Sequence, residues 1–247
     1  MMQRHLVDTS DFLARLEAAG NAKSCQSLLS AHLDRHGIRR FTYVRMNPPT
    51  MNERSYFFST FPQDWLSHYV ANDYIYVDPL VLKARREIYP MQWGPCHPLP
   101  VESKRQEAVV LESSEAGNVR GIAVPIRGFR GEFAMMSLIV DETSDEHFDV
   151  FYDEARYGLH LSCLYFHHAL WKRVHHEDKA APAELTARQI EILRLAAIGK
   201  TAWEISVILG ISEDGVRYHF KEAGARLGTF GITATVAKAV AFGYISV

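Results

Sequence analysis

Two short stretches of the chain carry side chains at spacings where chemistry is available. Arg217 and Lys221 stand four residues apart in a helical pattern and share one face. Arg donates two hydrogen bonds to a guanine edge and Lys suits a base or a phosphate, so that face holds donors a DNA groove accepts. Tyr218 and His219 beside them can reach the phosphate backbone. The plain alternative is an amphipathic helix with a solvated basic face, and the neighbouring turns must decide. Trp65 and Tyr69 are also four apart, and Asp78-Pro79 follows shortly after. An Asp before Pro is an ordinary helix N-cap, and aromatics at helical spacing are ordinary core, so this second stretch has a purely structural reading too.

Other chemistry is not assembled. The twelve histidines are scattered; the nearest to clusters are His167-His168 and His175-His176, and adjacent helical positions point about 100° apart, which rarely suits one metal. No Gly-rich phosphate loop, Gly-x-Ser-x-Gly or zinc motif is present. Cys25, Cys96 and Cys163 are odd in number and widely spaced, as reduced thiols are. The expectation is a protein that is not an enzyme, with no catalytic residues, no metal and no cofactor. No apolar run approaches a membrane span and the N-terminus lacks the apolar core of a signal peptide, so a cytoplasmic protein without a membrane partner is expected.

The elements around Arg217 favour DNA. Thr186 caps a first helix with Ile190, Leu193, Leu195 and Ala196 on or near its buried side, and Gly199 ends it. Thr201 caps a short second helix whose Ile205, Ile208 and Leu209 are expected to face inward. Gly210-Ile211-Ser212 makes a tight turn, and Ser212 caps a third helix with Val216 and Phe220 inward. Two short helices across a three-residue glycine turn form a helix-turn-helix, the third helix carrying Arg217, Tyr218 and Lys221. From Glu184 onward seven basic residues face six acidic ones. So small a positive balance gives weak monomer binding, because phosphate neutralisation supplies much of DNA affinity. An apolar last helix, residues 233–242, either closes the small domain's own core or pairs two copies.

At 247 residues and a net charge of -2, two domains are expected. The expected fold class is α+β: an antiparallel sheet flanked by helices, an α/β/α sandwich, over residues 1–174; a polar linker with Pro182 over 175–183; and the all-α helix-turn-helix domain over 184–247. In the first part, residues 10–19, 24–35, 102–115 and 145–172 read as helices, with another starting at Pro62. Residues 41–46, 56–60, 121–126 and 132–140 read as strands, the last two as a hairpin. Tyr74-Ile75-Tyr76-Val77 is strand-like. The helix over 145–172 carries a long stripe of Phe148, Phe151, Tyr152, Ala155, Leu159, Cys163 and Phe166, able to complete a core and to present a dimer seam.

The module from Leu185 resembles the C-terminal domain of the LuxR family of bacterial transcription regulators through Leu185, Thr186, Arg188, Leu193, Gly199, Lys200, Ile205, Leu209, Ser212, Val216, His219 and Leu227. Gln189, Gly215 and Ile232 depart from the pattern, standing for Glu, Thr and Arg. Upstream, Trp65, Tyr69, Asp78, Pro79, Trp93 and Gly121 resemble the autoinducer-binding domain of LuxR-type quorum-sensing receptors. The two resemblances occur in the family's order and cover most of the chain. They imply a ligand-responsive regulator that binds an N-acyl-homoserine lactone and binds an inverted-repeat promoter site in double-stranded DNA as a homodimer. By that resemblance Trp65 donates to the lactone carbonyl, Asp78 accepts from the amide N–H, Ser137 donates to the amide carbonyl, and Tyr69 and Trp93 wall the pocket. Phe61 stands where many relatives have a Tyr whose hydroxyl helps hold that carbonyl. Strand alternation puts Phe133, Met135 and Ser137 on one face; if it lines the pocket, Phe133 and Met135 fill room a long chain needs, and a short, branched or aromatic acyl group is expected. A phosphoacceptor input domain is not in evidence, since the chain opens on helices. A different small molecule, or DNA binding without ligand, is the alternative.

Overall fold

The computed structural model describes residues 2–46, 56–128, 133–141, 144–177 and 184–246. These divide into two compact units, one built on residues up to Glu177 and one on the residues after Asp178.

The first unit is a five-stranded antiparallel sheet with helices on both faces. Its strands are β1 (Arg40–Met46), β2 (Tyr56–Ser59), β3 (Met91–Trp93), β4 (Gly121–Arg127) and β5 (Phe133–Ile139), in the spatial order β2-β1-β5-β4-β3. Its helices are α1 (Met2–Ala18), α2 (Ala22–Asp34), α3 (Gln63–Ala71), α4 (Pro79–Ala84), α5 (Lys104–Glu115) and α6 (Asp145–Glu177). Side chains alternate across a strand, and here the two faces pack two different cores. Phe41, Tyr43, Ile122, Val124, Ile126, Ala134, Met136 and Leu138 face α1, α2 and α6 and close over Phe12, Leu29, Leu159, Cys163 and Phe166. Val44, Met46, Ala123, Phe133, Met135 and Ile139 face the other way, toward Leu80, Val81 and Ala84 of α4. The stripe expected on α6 is the seam of the first core: Phe148, Ala155, Leu159, Cys163 and Phe166 are buried, with Phe151 and Tyr152 packed at its margin.

The register fixes which residues share a rung. Ser59 lies opposite Thr42, Thr42 opposite Ser137, Ser137 opposite Ala123, and Ala123 opposite Met91. Two rungs along, Gly121 lies between Trp93 and Ile139. A Cβ on Gly121 would stand 2.2 Å from the Leu138 carbonyl oxygen and 2.9 Å from the Trp93 ring. Glycine is what lets the indole lie against β4.

Three local expectations are corrected. Tyr74–Tyr76 is a 3-10 turn, not a strand. Asp73 enters it with a left-handed φ of 52°, and the Asp78 N–H bonds the Tyr74 carbonyl, so the four β-prone residues are consumed by a tight reversal between α3 and α4. The long helix does not stop near Lys172 but runs 33 residues to Glu177, into the stretch read as linker; residues 178–183, with Pro182, lie outside the described residues, as does most of the β4–β5 turn. The strand at Met91–Trp93 was not expected, because three residues are too few to show alternation.

The second unit is four helices: α7 (Ala187–Ala197), α8 (Ala202–Leu209), α9 (Glu213–Leu227) and α10 (Ile232–Ala241). Capping begins three of them. Thr186 and Gln189 form a reciprocal capping box, as do Thr201 and Glu204, and Ser212 accepts from the Gly215 N–H at 3.1 Å. Gln189 thus keeps the capping role without a charge. Gly210 ends α8 with φ 62°, a conformation costly for any residue with a Cβ. The core gathers Leu185, Ile192, Leu193, Ile205, Val216, Phe220, Leu227, Ala239 and Ile245. Ile208 is 53% exposed, against expectation. The buried stripe of α8 runs through Ala202, Ile205 and Leu209, and position 208 lies about 100° around the helix from Leu209.

Candidate functional site

Trp65 and Tyr69 sit one turn apart on α3, ring centroids 5.7 Å apart and edge to face. Tyr74 meets Tyr69 edge-on at 5.8 Å. Trp65 and Tyr74 form one buried cluster with Val109 of α5, and Tyr69, Leu66, Val77 and Phe61 pack against it. Asp78 joins by hydrogen bonding: the Tyr69 hydroxyl donates to Asp78 Oδ2 at 2.8 Å and the Leu80 N–H donates to Oδ1 at 2.8 Å. The N-cap reading of Asp78 is what the structure shows. It caps α4, and it presents a carboxylate beside the aromatic pair. An ionised carboxylate offers about four lone-pair sites, and two are occupied here. Burial pushes the Asp78 carboxyl above the ordinary range, opposed by its hydrogen bonds from Tyr69 and the backbone, and burial with the Asp78 charge holds the Tyr69 phenol well above its own.

Trp93 and Met135 fall in the second cluster, on the α4-facing side of the sheet, with Leu80, Val81, Ala84 and Phe133. Ser137 is on that strand face too, 7% exposed. Phe61 packs against both clusters and joins them. Sequence reasoning gave Trp93 only a wall to form. In the structure its indole N–H is buried with no hydrogen-bond partner among the described residues, a donor that only the tertiary position of β3 reveals. Two cations crowd the far end of this face: Arg127 lies 5.0 Å and Arg85 5.7 Å from the centroid of the Phe133 ring.

A clasp ties α5 over the first cluster. Glu112 accepts from Tyr74 at 2.7 Å and pairs with His68 Nε2 at 2.7 Å; both bonds hold its carboxyl below the usual range. A surface depression of about 560 Å³ is lined by Pro62, Asp64, Trp65, His68, Glu112, Glu115 and Ala116. It shares only Trp65 with the residues singled out from the sequence.

In the second unit α9 presents Arg217, Tyr218 and Lys221 to solvent while Val216 and Phe220 are buried. Arg217 pairs with Glu213 at 2.6 Å, one turn toward the N-terminus. Thr201 and Ser212 are exposed at the starts of α8 and α9 with their hydroxyls in capping bonds. Two of the seven basic residues serve the fold: Arg188 donates to the Leu209 carbonyl and Arg226 to the Glu184 carbonyl.

These two sites belong to known families. Residues 21–170 match the autoinducer binding domain family, and residues 183–239 match the bacterial regulatory proteins of the luxR family. The chain is 30% identical to the HTH-type quorum sensing-dependent transcriptional regulator RpaR of Rhodopseudomonas palustris, over 98% of this chain and 95% of that one. It is also 30% identical to the transcriptional activator protein VanR of Vibrio anguillarum, over 75% of each. Among solved structures, SdiA of Escherichia coli superposes with a TM-score of 0.72 over 96% of this chain and 98% of its own, at 19% identity, which speaks for the fold. The chain belongs to the LuxR family of quorum-sensing transcription regulators, a family of regulators and not of enzymes: a small-molecule autoinducer-binding domain followed by a DNA-binding helix-turn-helix. Among the described residues no helix is long and apolar enough to cross a membrane.

Proposed function

We propose that the autoinducer is an N-acyl-homoserine lactone, held head-first by Trp65 and Asp78, and that the ligand-bound chain binds an inverted-repeat promoter site as a homodimer. The observation that carries the reading is the Trp65–Tyr69–Asp78 assembly. A donor-only indole and an acceptor-only carboxylate stand in one largely buried group, the complement of a lactone carbonyl and an amide N–H. Leaving either ligand group unpaired would cost roughly 1–3 kcal/mol. Phe61 adds packing and no hydroxyl, so Ser137 takes the amide carbonyl. Phe133 and Met135, both buried on the Ser137 face, limit room along that face and favour a short, branched or aromatic acyl group.

Two exposed apolar stripes support a homodimer. On α6, Val150, Tyr157, Leu161 and Leu164 point outward at helical spacing. Just before α10, Phe230 is 98% exposed, and Ile232 and Val240 at the two ends of that helix are exposed as well. Doubling the recognition helix also doubles phosphate contacts for a module with so small a positive balance.

Expression in bacteria with a panel of acyl-homoserine lactones, followed by mass spectrometry of what the purified chain retains, tests this. One intact lactone recovered, with the yield of folded protein depending on it, is the expected result. A structural neighbour with a TM-score of 0.76 is SdiA in complex with octanoyl-rac-glycerol, so octanoyl glycerol belongs in the panel; its retention in place of every lactone would replace this reading with a receptor for acyl esters.

A further inference from the structure

The turn that joins α4 to β3 carries a surface of mixed chemistry. Leu82, Arg85 and Arg86 are three and four residues apart, all exposed, on one outward face of α4 and its last turn. Ile88 and Tyr89 follow, 55% and 68% exposed. Arg127, at the end of β4, is tied to this turn by donating to the Arg85 and Glu87 carbonyls. Arg85 and Arg127 both lie over the Phe133 ring, so the arginines and the apolar side chains belong to one patch.

The cations of this patch are unspent. Arg40, Arg120 and Arg217 each have a carboxylate partner elsewhere in the chain. Arg85, Arg86 and Arg127 have none among the described residues; Arg85 donates only to the Met46 sulfur, at 3.5 Å, and Arg127 only to backbone. Lys83 adds a fourth cation to the stretch, and Glu87 is its single acid. A guanidinium presents its N–H donors in a fork that fits phosphate. The apolar neighbours narrow the partner further. Single exposed apolar residues are ordinary, but Ile88 and Tyr89 are consecutive and stand beside Leu82 among unpaired arginines. Phosphates along a nucleic-acid strand give such side chains nothing to enter. A bilayer offers phosphates at its surface and an apolar layer just beneath them, and tyrosine suits that boundary with its ring buried and its hydroxyl wet.

We propose that this patch is a peripheral membrane contact, in which Arg85, Arg86 and Arg127 bind the phosphates of an anionic lipid surface while Leu82, Ile88 and Tyr89 enter its interfacial layer. The contact needs no spanning helix, so the expectation of no membrane partner, drawn from the lack of a long apolar run, does not bear on it. With so few cations and apolar groups it is reversible and weakened by salt. A chain held there meets acyl-bearing small molecules where they collect; that consequence rests on the receptor reading of the preceding subsection, and the contact itself does not.

The test is flotation of the purified full chain with vesicles of phosphatidylcholine alone and of equal parts phosphatidylcholine and phosphatidylglycerol. Partition into the mixed vesicles is expected to exceed that into phosphatidylcholine at least about tenfold at low salt. Arg86→Gln is expected to lower it about fivefold, and the double substitution Ile88→Ser with Tyr89→Ser to lower it as well although no charge changes. These side chains are exposed, so both variants should keep the wild-type melting temperature. Equal partition into the two vesicle types, or wild-type partition by Arg86→Gln, overturns the proposal. Wild-type partition by the double variant leaves phosphate binding alone and overturns it too; if Arg86→Gln then also weakens binding to duplex DNA of unrelated sequence, the patch belongs to nucleic acid instead.

Discussion

In the proposed lactone site Trp65 and Asp78 have different roles, and single substitutions separate them. Trp65→Phe keeps the ring against Tyr69 and removes one N–H; the lactone concentration for half-maximal response is expected to rise about fivefold to a hundredfold, from roughly 1–3 kcal/mol of lost pairing. A response that stays unchanged would take Trp65 out of the ligand site. Asp78→Asn is expected to cost more: the amide oxygen can still cap α4, but the NH2 that replaces the second oxygen cannot accept from Tyr69 or from a ligand N–H. A buried residue away from the site carries a pH signature. His167 lies under the sheet with its Nδ1 2.8 Å from the Tyr43 hydroxyl; burial, helped by Arg45 and His168, pushes it down from 6.5 to about 4. Between those values the unfolded chain binds a proton that the folded chain refuses, so stability falls as pH drops through the window. The loss from this group is about 2 kcal/mol at pH 5 relative to pH 7. His167→Gln keeps a partner for Tyr43 without titrating, and urea unfolding at the two pH values should show a difference smaller by that amount; an identical difference would mean another group is responsible.

Among the elements, the turns are the sensitive points. Gly210→Ala places a Cβ at φ 62° and is expected to destabilise the second unit by roughly 1–2 kcal/mol, read as a lower melting temperature, with Gly210→Asn milder. If alanine proves neutral there, the turn is not held in that conformation. The helix-turn-helix was legible in the sequence because its signals are local: Thr186, Thr201 and Ser212 cap, Gly199 and Gly210 stop, and Val216 and Phe220 mark the inner face. The sheet and its flanking helices were legible from alternation and from the α6 stripe. What stayed hidden is non-local. Tyr74–Tyr76 has strand-forming residues but no strand to pair with. Ile208 sits at the edge of a stripe only eight residues long, too short to fix its centre. The rung that sets Thr42 between Ser59 and Ser137 depends on register across three strands, which no single segment encodes. The unpartnered Trp93 indole likewise depends on β3 finding Gly121.

For the whole molecule, DNA affinity should depend on salt and on copy number. Lys221→Ala is expected to lower the slope of log affinity against log salt by roughly one, with weaker binding to all sequences. Arg217→Ala should relax base preference at one position of each half-site, by about 1–3 kcal/mol. Fluorescence anisotropy on promoter fragments at several salt concentrations reads both; equal slopes for Lys221→Ala and wild type would place Lys221 off the phosphates. Ligand present at a hundred times its Kd should raise the stability of the first unit by about 2.7 kcal/mol, visible as a melting shift with no change in the second unit.

The strand order has a consequence in time. β1 takes its place between β2 and β5, yet about 90 residues of chain separate β1 from β5. A ribosome adding roughly 5–20 residues per second leaves β1 waiting several seconds or more for its neighbour. Until then Phe41 and Tyr43 on one face, and Val44 and Met46 on the other, have no sheet to complete. In the proposed site, a ligand on the α4-facing side can be enclosed only once β5 has arrived, so enclosure follows the synthesis of the last strand.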